Sequence, residues 1–136
     1  MASLLRPSGR AALVTLKRDG RPQLSNIVYT YDQSAGLVRI SVTDSRAKTR
    51  NLRRDPRASL YLTSTDFTAY EVVDGLVEVT PVARTTDDPT VDELVDVYRS
   101  ISGEHPDWAE FRSAMVADER LVVRFTVGHR YGGAAG

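Results

Sequence analysis

The sequence predicts a mainly β protein with helices, a small antiparallel barrel carrying helices. Three observations predict it. Five strand-forming segments separated by turn signals occupy residues 10 to 80. Two segments with helical spacing follow, and one strand-forming segment closes the chain. Strands and helices do not alternate as a βαβ sheet requires. A chain of 136 residues is expected to form one domain, 1–136, large enough to bury a core without staples.

Residues 10–17, RAALVTLK, are strand formers, and RDGRP turns the chain. In the second segment, 23–32, Gln23, Ser25, Ile27, Tyr29 and Tyr31 share one face; Leu24, Asn26, Val28 and Thr30 share the other. Residues 37–43, LVRISVT, form the third strand after the turn DQSAG, and 58–65 form the fourth. The fifth, 70–80, contains Asp74-Gly75, which marks either a bulge or a tight turn. Asp87 or Asp88 then caps a helix with Pro89 in its first turn, Val91, Leu94, Val95, Tyr98 and Ile101 at helical spacing, and Gly103 at its end. A second helix begins at Pro106 and places Trp108, Phe111, Met115 and Val116 on one face. The last strand alternates Leu121, Val123, Phe125 and Val127, and the tail GGAAG is expected to be loose.

The absence of Cys excludes disulfides, thiolate metal sites and a Cys nucleophile, and it suits a reducing cytoplasm. No segment approaches the roughly 20 apolar residues of a membrane span, and the N-terminus does not read as a signal peptide. Eighteen basic and eighteen acidic residues give zero net charge, against a general nucleic-acid or membrane-surface binder.

That balance is uneven along the chain. Residues 45–57, SRAKTRNLRRDPR, hold six Arg or Lys and a single Asp. The stretch suits a helix with Ser45 as cap and Pro56 as stop. On a wheel of about 100° per residue, Arg46, Arg50, Arg53, Arg54 and Arg57 cluster, with Lys48 and Leu52 opposite. Leu52 is the one large apolar residue there, so Lys48 turns inward with it. A lysine at the start of a helix, beside free backbone N–H groups, suits an anion such as a small-molecule phosphate. The same pattern also suits a solvated face paired with nearby acids.

Two longer stretches, LVTLKRDGRPQLSNIVYTYD and ISVTDSRAKTRNLRRDPRASLYL, together resemble the split-barrel flavin and deazaflavin oxidoreductase family. That family includes the pyridoxamine 5'-phosphate oxidases and the coenzyme F420-dependent reductases common in actinobacteria. GLVEVTP, ISGEHPDW and HRYG extend the similarity over most of the chain, and the nearest likeness is to the short F420-binding subgroup. The resemblance implies an FMN-binding-protein-like split β-barrel that is homodimeric, with a cofactor cleft at each side of the interface. It implies a phosphate clamp of Arg46 and Lys48, with Ala47 and Thr49 as further donors and Asn51 nearby. Ser41 and Val42 match positions beside the ring system, and Gln23, Ser25 and Asn26 match the strand under the cofactor. The alternation opposes one part of this, since Asn26 lies on the face opposite Gln23 and Ser25. Many family members carry Pro at the position of Asn26. The chain also lacks the C-terminal Arg- and Trp-bearing segment of the vitamin B6 oxidases, and Phe67 or Tyr70 stands where relatives carry Trp.

No catalytic triad, carboxylate dyad or metal cluster is visible. His105 reads as structural, His129 as exposed or a dimer contact, and Tyr29, Tyr31, Tyr98 and Tyr131 as packing residues. A cofactor that carries the chemistry itself fits this pattern. The expectation is an enzyme using reduced coenzyme F420 to pass a hydride to an activated double bond of a small molecule. Alternatives are an FMN-dependent flavin reductase or pyridoxamine-phosphate-oxidase-like enzyme, and a non-enzymatic cofactor carrier or sensor.

Overall fold

A computed structural model describes residues 3–134, the side chain of Ala134 excepted. Strands β1 (Ser8–Leu16), β2 (Pro22–Asp32) and β3 (Leu37–Thr43) lead into helix α1 (Ala47–Arg54). Strands β4 (Arg57–Thr63) and β5 (Ala69–Val79), helices α2 (Pro89–Ser102) and α3 (Trp108–Ala117), and strand β6 (Arg120–Ala134) complete the chain. All strand pairs are antiparallel and close a barrel in the order β1-β2-β3-β6-β5-β4.

The period-2 alternation fills the barrel. Leu13, Ile27, Tyr29, Ile40, Leu60, Val73, Leu121, Val123 and Phe125 are buried inside it. Leu52 of α1 joins this core, as the helical wheel predicts. The opposite face of β6 makes a second core, where Val122 packs with Val91, Leu94, Val97 and Phe111 of α2 and α3. The carboxylate of Asp88 caps α2, accepting from the amides of Val91, Arg84 and Thr85.

Asp74-Gly75 resolves as a bulge: the β5–β6 register shifts between Val73 and Gly75. A Cβ at Gly75 would lie 2.6 Å from the Phe125 ring and nearer still to the Thr126 carbonyl oxygen, so only glycine lets the strands close there.

Three local expectations are corrected. Ser45 does not cap α1; Arg46 holds the cap position without a side-chain bond. Asp107, not Pro106, begins α3, its carboxylate accepting from the Glu110 amide. The tail is not loose through its first residues, because Gly132 and Gly133 continue β6 opposite Glu71 and Tyr70. Ala135 and Gly136, the end of that expected loose tail, lie outside the described residues.

The pairing of β2 with β3 places the candidate site. These strands match only at Thr30–Arg39, Tyr31–Val38 and Asp32–Leu37. Before Thr30, β2 continues along β1 as far as Pro22, while β3 runs on along β6. The strands part, and the N-terminus of α1 reaches the slot between them.

Candidate cofactor cleft

The slot is a cavity of about 360 Å³ lined by Gln23 and Ser25 from β2, Ser41, Val42 and Thr43 from β3, Arg46, Ala47 and Lys48 at the start of α1, and Arg120 at the start of β6. Seven of the ten residues anticipated from the sequence meet here. Val42 does so with its side chain packed in the barrel core, so it offers the cleft no functional group.

The cleft is cationic and unfinished. Arg46, Lys48 and Arg120 contribute three positive charges, and no carboxylate is among the lining residues. Burial holds the Lys48 ammonium below the ordinary lysine range, and the nearby charges of Arg46 and Arg120 push the same way. The Ser25 hydroxyl and Arg120 Nε are cut off from water with no hydrogen-bond partner among the described residues. The nearest carboxylate oxygen to Arg120, from Asp118, stands 4.0 Å from Nε, beyond hydrogen-bonding range. The amides of Ala47 and Lys48 have no backbone acceptor among the described residues, as expected for the first turn of a helix. Lys48, half-buried beside Arg46 and Arg120, has no acid partner among the described residues, and Arg120 has only the loose ion pair with Asp118, so a bound anion would relieve a cost to folding. An oxyanion with several acceptor oxygens matches this donor set.

Three anticipated residues are not brought in. Thr49 is fully buried; its hydroxyl donates to the Thr43 carbonyl and its amide to the Arg46 carbonyl, which leaves no free donor. Asn51 is turned to the barrel end, donating to the Thr15 hydroxyl and accepting from Arg54. Asn26 faces outward, as the alternation requires, and lines a separate surface hollow with Val28, Tyr61 and Phe67. Arg120 lines the cleft but is not among the residues anticipated from the sequence. It is 72 residues from Lys48 in the chain, and only the β3–β6 pairing, which sets it opposite Thr43, brings the two together.

The outer arginine row is largely occupied by the protein itself. Arg53 pairs with Asp44 at 2.6 Å. Arg54 donates to the Leu16 carbonyl at 2.6 Å. Arg57 lies in β4 and bonds Asp55, whose carboxyl its hydrogen bonds lower to about 2. Of the outer four, Arg50, Arg53, Arg54 and Arg57, Arg50 alone has no side-chain partner among the described residues.

Elsewhere Tyr29, Tyr98 and His105 pack as expected, while Tyr131 is half exposed and stacks on His129. Tyr29 is buried, its hydroxyl accepting from the Arg6 amide. His105 packs among Tyr98, Trp108 and Phe111, and its Nδ1 accepts from the Asp107 amide. Tyr70 stacks on Tyr61, and Phe67 projects from the β4–β5 turn at φ 65°, so neither lines the cleft of its own chain. No group of three or more metal-ligating side chains occurs among the described residues, and no helix there is long and apolar enough to cross a membrane.

The sequence profile of the pyridoxamine 5'-phosphate oxidase family matches residues 1–132. Among solved structures, an F420 reductase superposes with a TM-score of 0.68 at 23% identity, covering 94% of this chain and 92% of that one. A conserved hypothetical protein from Mycobacterium tuberculosis gives 0.69 at 23% identity, with 92% and 76% covered. A pyridoxamine 5'-phosphate oxidase-related, FMN-binding protein from Nostoc punctiforme gives 0.61 at 12% identity, with 90% and 73% covered. At these identities the likeness is one of fold.

Proposed function

The chain belongs to the pyridoxamine 5'-phosphate oxidase family, and from that premise we propose that it is a homodimeric oxidoreductase that uses reduced coenzyme F420 to reduce an activated double bond of a small molecule. The observation that carries this reading is the charge of the cleft: three cations, two orphaned buried donors and no acid among the lining residues. A phosphate-bearing cofactor fits that donor set. When bound, the reduced deazaflavin would supply the hydride. Lys48, Arg120 and the Ala47 and Lys48 amides would hold its phosphate, with Arg46 at the rim. Gln23, Ser25 and Ser41 offer neutral hydrogen bonds along the wall, suited to a polar ring edge. The described cleft presents no carboxylate, histidine or tyrosine as proton donor, so water or a group of the partner subunit would deliver the proton.

The homodimer is supported by large apolar residues that a lone chain leaves to water. Leu24 and Val28 on β2, Leu76 on β5, Tyr131 on β6 and Phe67 at the turn are large apolar residues exposed by roughly half or more. Sedimentation should give a dimer at micromolar concentration, and a monomer that still binds cofactor would contradict it.

One observation favours FMN as a second reading. Three of the four outer arginines are engaged by the protein, which leaves Arg50 and Arg46 to meet a long anionic tail. Titration of both cofactors, followed by absorbance and fluorescence, decides between them. Tighter coenzyme F420 binding, with substrate-dependent oxidation of its reduced form, is the expected result. Equal or tighter FMN binding would establish the second reading, and binding without turnover would mark a carrier or sensor.

A further inference from the structure

A second cavity, of about 380 Å³, opens beside the cationic cleft and shares Ser41 and Arg120 with it. Its walls are Leu94, Val97, Tyr98 and Ile101 of α2, with Phe111 and Met115 of α3. Leu94, Val97 and Phe111 belong to the second core, and Tyr98, Ile101 and Met115 pack against it. Arg120 is the one charged residue in its lining. The Arg120 side chain is 33% exposed, while its Nε is buried without an acceptor. The size lies at the lower end of small-molecule sites, roughly 300–1,000 Å³.

We propose that this cavity binds a small amphiphile with an apolar body and one carboxylate, the body between α2 and α3 and the carboxylate on Arg120. The lining selects that class. Six apolar or aromatic side chains reward burial of a hydrocarbon or ring. A cation would find no acid, and a neutral hydrocarbon would leave the guanidinium without its acceptor. Met115 and Ile101 supply adaptable surface, so the body is selected by polarity more than by shape. The inference does not depend on which cofactor the neighbouring cleft takes.

A consequence follows from the shared residue. Arg120 lines both cavities, so an anion bound to it in either reduces the attraction available to the other. Binding in the two is therefore antagonistic, and the antagonism is reciprocal.

Calorimetric titration of the cofactor-free full chain tests this with decanoate and decanol, both below aggregation concentrations, and separately with inorganic phosphate. Decanoate should bind about tenfold or more tightly than decanol, the gain expected of a charge-assisted hydrogen bond. Arg120→Met should erase the difference. Ile101→Trp, which fills the cavity, should abolish decanoate binding and leave phosphate affinity unchanged. Ser102→Trp, at the exposed rim, should block the mouth without touching the core, which covers the case that Ile101→Trp does not fold. Saturating decanoate should weaken phosphate binding several-fold. Equal binding of acid and alcohol to the unaltered protein, or decanoate binding that survives both Trp substitutions in folded protein, would overturn the proposal. Failure of coenzyme F420 to bind would overturn the functional reading and leave this one standing.

Discussion

Arg120 and Arg124 stand four residues apart on the same outer face of β6, and the protein treats them in opposite ways. Arg124 is surrounded by acid. Its Nε and Nη2 donate to the two oxygens of Glu93, its Nη1 bonds Glu78, and these bonds raise its pKa further above the ordinary arginine range. Arg39 from β3 adds a second cation 3.8 Å from Glu93. Arg120 has two cations for neighbours, only a loose ion pair with Asp118 at 4.0 Å, and a buried Nε with no hydrogen-bond acceptor among the described residues. The first arrangement ties α2 to the barrel. The second leaves a buried donor unsatisfied within the protein, the property expected of an anion-binding position. A cluster of arginines is therefore informative in proportion to the partners it lacks.

The comparison breaks first at Lys48. Lys48→Ala removes a half-buried donor from the unfinished site, and cofactor affinity should fall roughly 10- to 150-fold, the range expected for a charge-assisted hydrogen bond. Melting temperature should hold or rise, because one unpaired cation is gone. Titration with a melting curve on the same sample checks both halves, and an unchanged affinity would remove Lys48 from the clamp.

Making the cleft resemble the Arg124 site should act next. Gln23→Glu places a carboxylate among Arg46, Lys48 and Arg120, where it pairs with them and competes with phosphate. Inorganic phosphate binding should weaken by about tenfold, equivalent to roughly 1.4 kcal/mol. Isothermal titration at fixed ionic strength measures it, and stronger phosphate binding would refute the electrostatic account.

Arg124→Ala should show the reverse profile, a loss of about 1–2 kcal/mol in stability with phosphate affinity intact. Glu93 is mostly buried and keeps only the more distant Arg39 as partner. Urea unfolding reads the stability. Arg53→Ala should do least, about 1 kcal/mol or less and smaller in high salt, because its pair with Asp44 is exposed.

The pH dependence follows from Lys48. Its pKa is lower in the folded protein than in the unfolded chain, so charging it opposes folding below the folded value. That opposition fades as pH rises from the folded value toward the unfolded one. Phosphate favours the charged form. Its affinity should therefore decline as pH rises through the depressed value, earlier than an ordinary lysine would give, and Lys48→Arg should move the decline upward. Phosphate titrations across the alkaline range measure this.

Much of the barrel was legible because strand burial has a short period that needs no tertiary knowledge. The alternation in β2 put Gln23 and Ser25 opposite Asn26, and the structure keeps them on separate faces. The spacing of Lys48 to Leu52 turned Lys48 inward, because a lone leucine in a basic helix has one place to go. Caps were less legible: Asp88 could be narrowed to two candidates, and Ser45 was a sound capping residue that the backbone does not use. For the arginines beyond the helix start the structure favours the solvated, acid-paired alternative, since Arg53 meets Asp44 and Arg57 meets Asp55, while the contact of Arg54 with the Leu16 carbonyl is set by the helix's seat on the barrel.

The sequence by itself determined which segments are strands and helices, which of their faces are apolar, and that residues 45–57 gather positive charge. Those properties are local, carried by periods of two and about 3.6 residues and by composition. The tertiary structure alone decided that β2 leaves β3 after three pairs, that Thr49 and Asn51 spend their polar groups inside the protein, and that Arg120 joins Lys48 across 72 residues of chain. Register between distant strands depends on how all six close into one barrel, and no window of the sequence contains that condition.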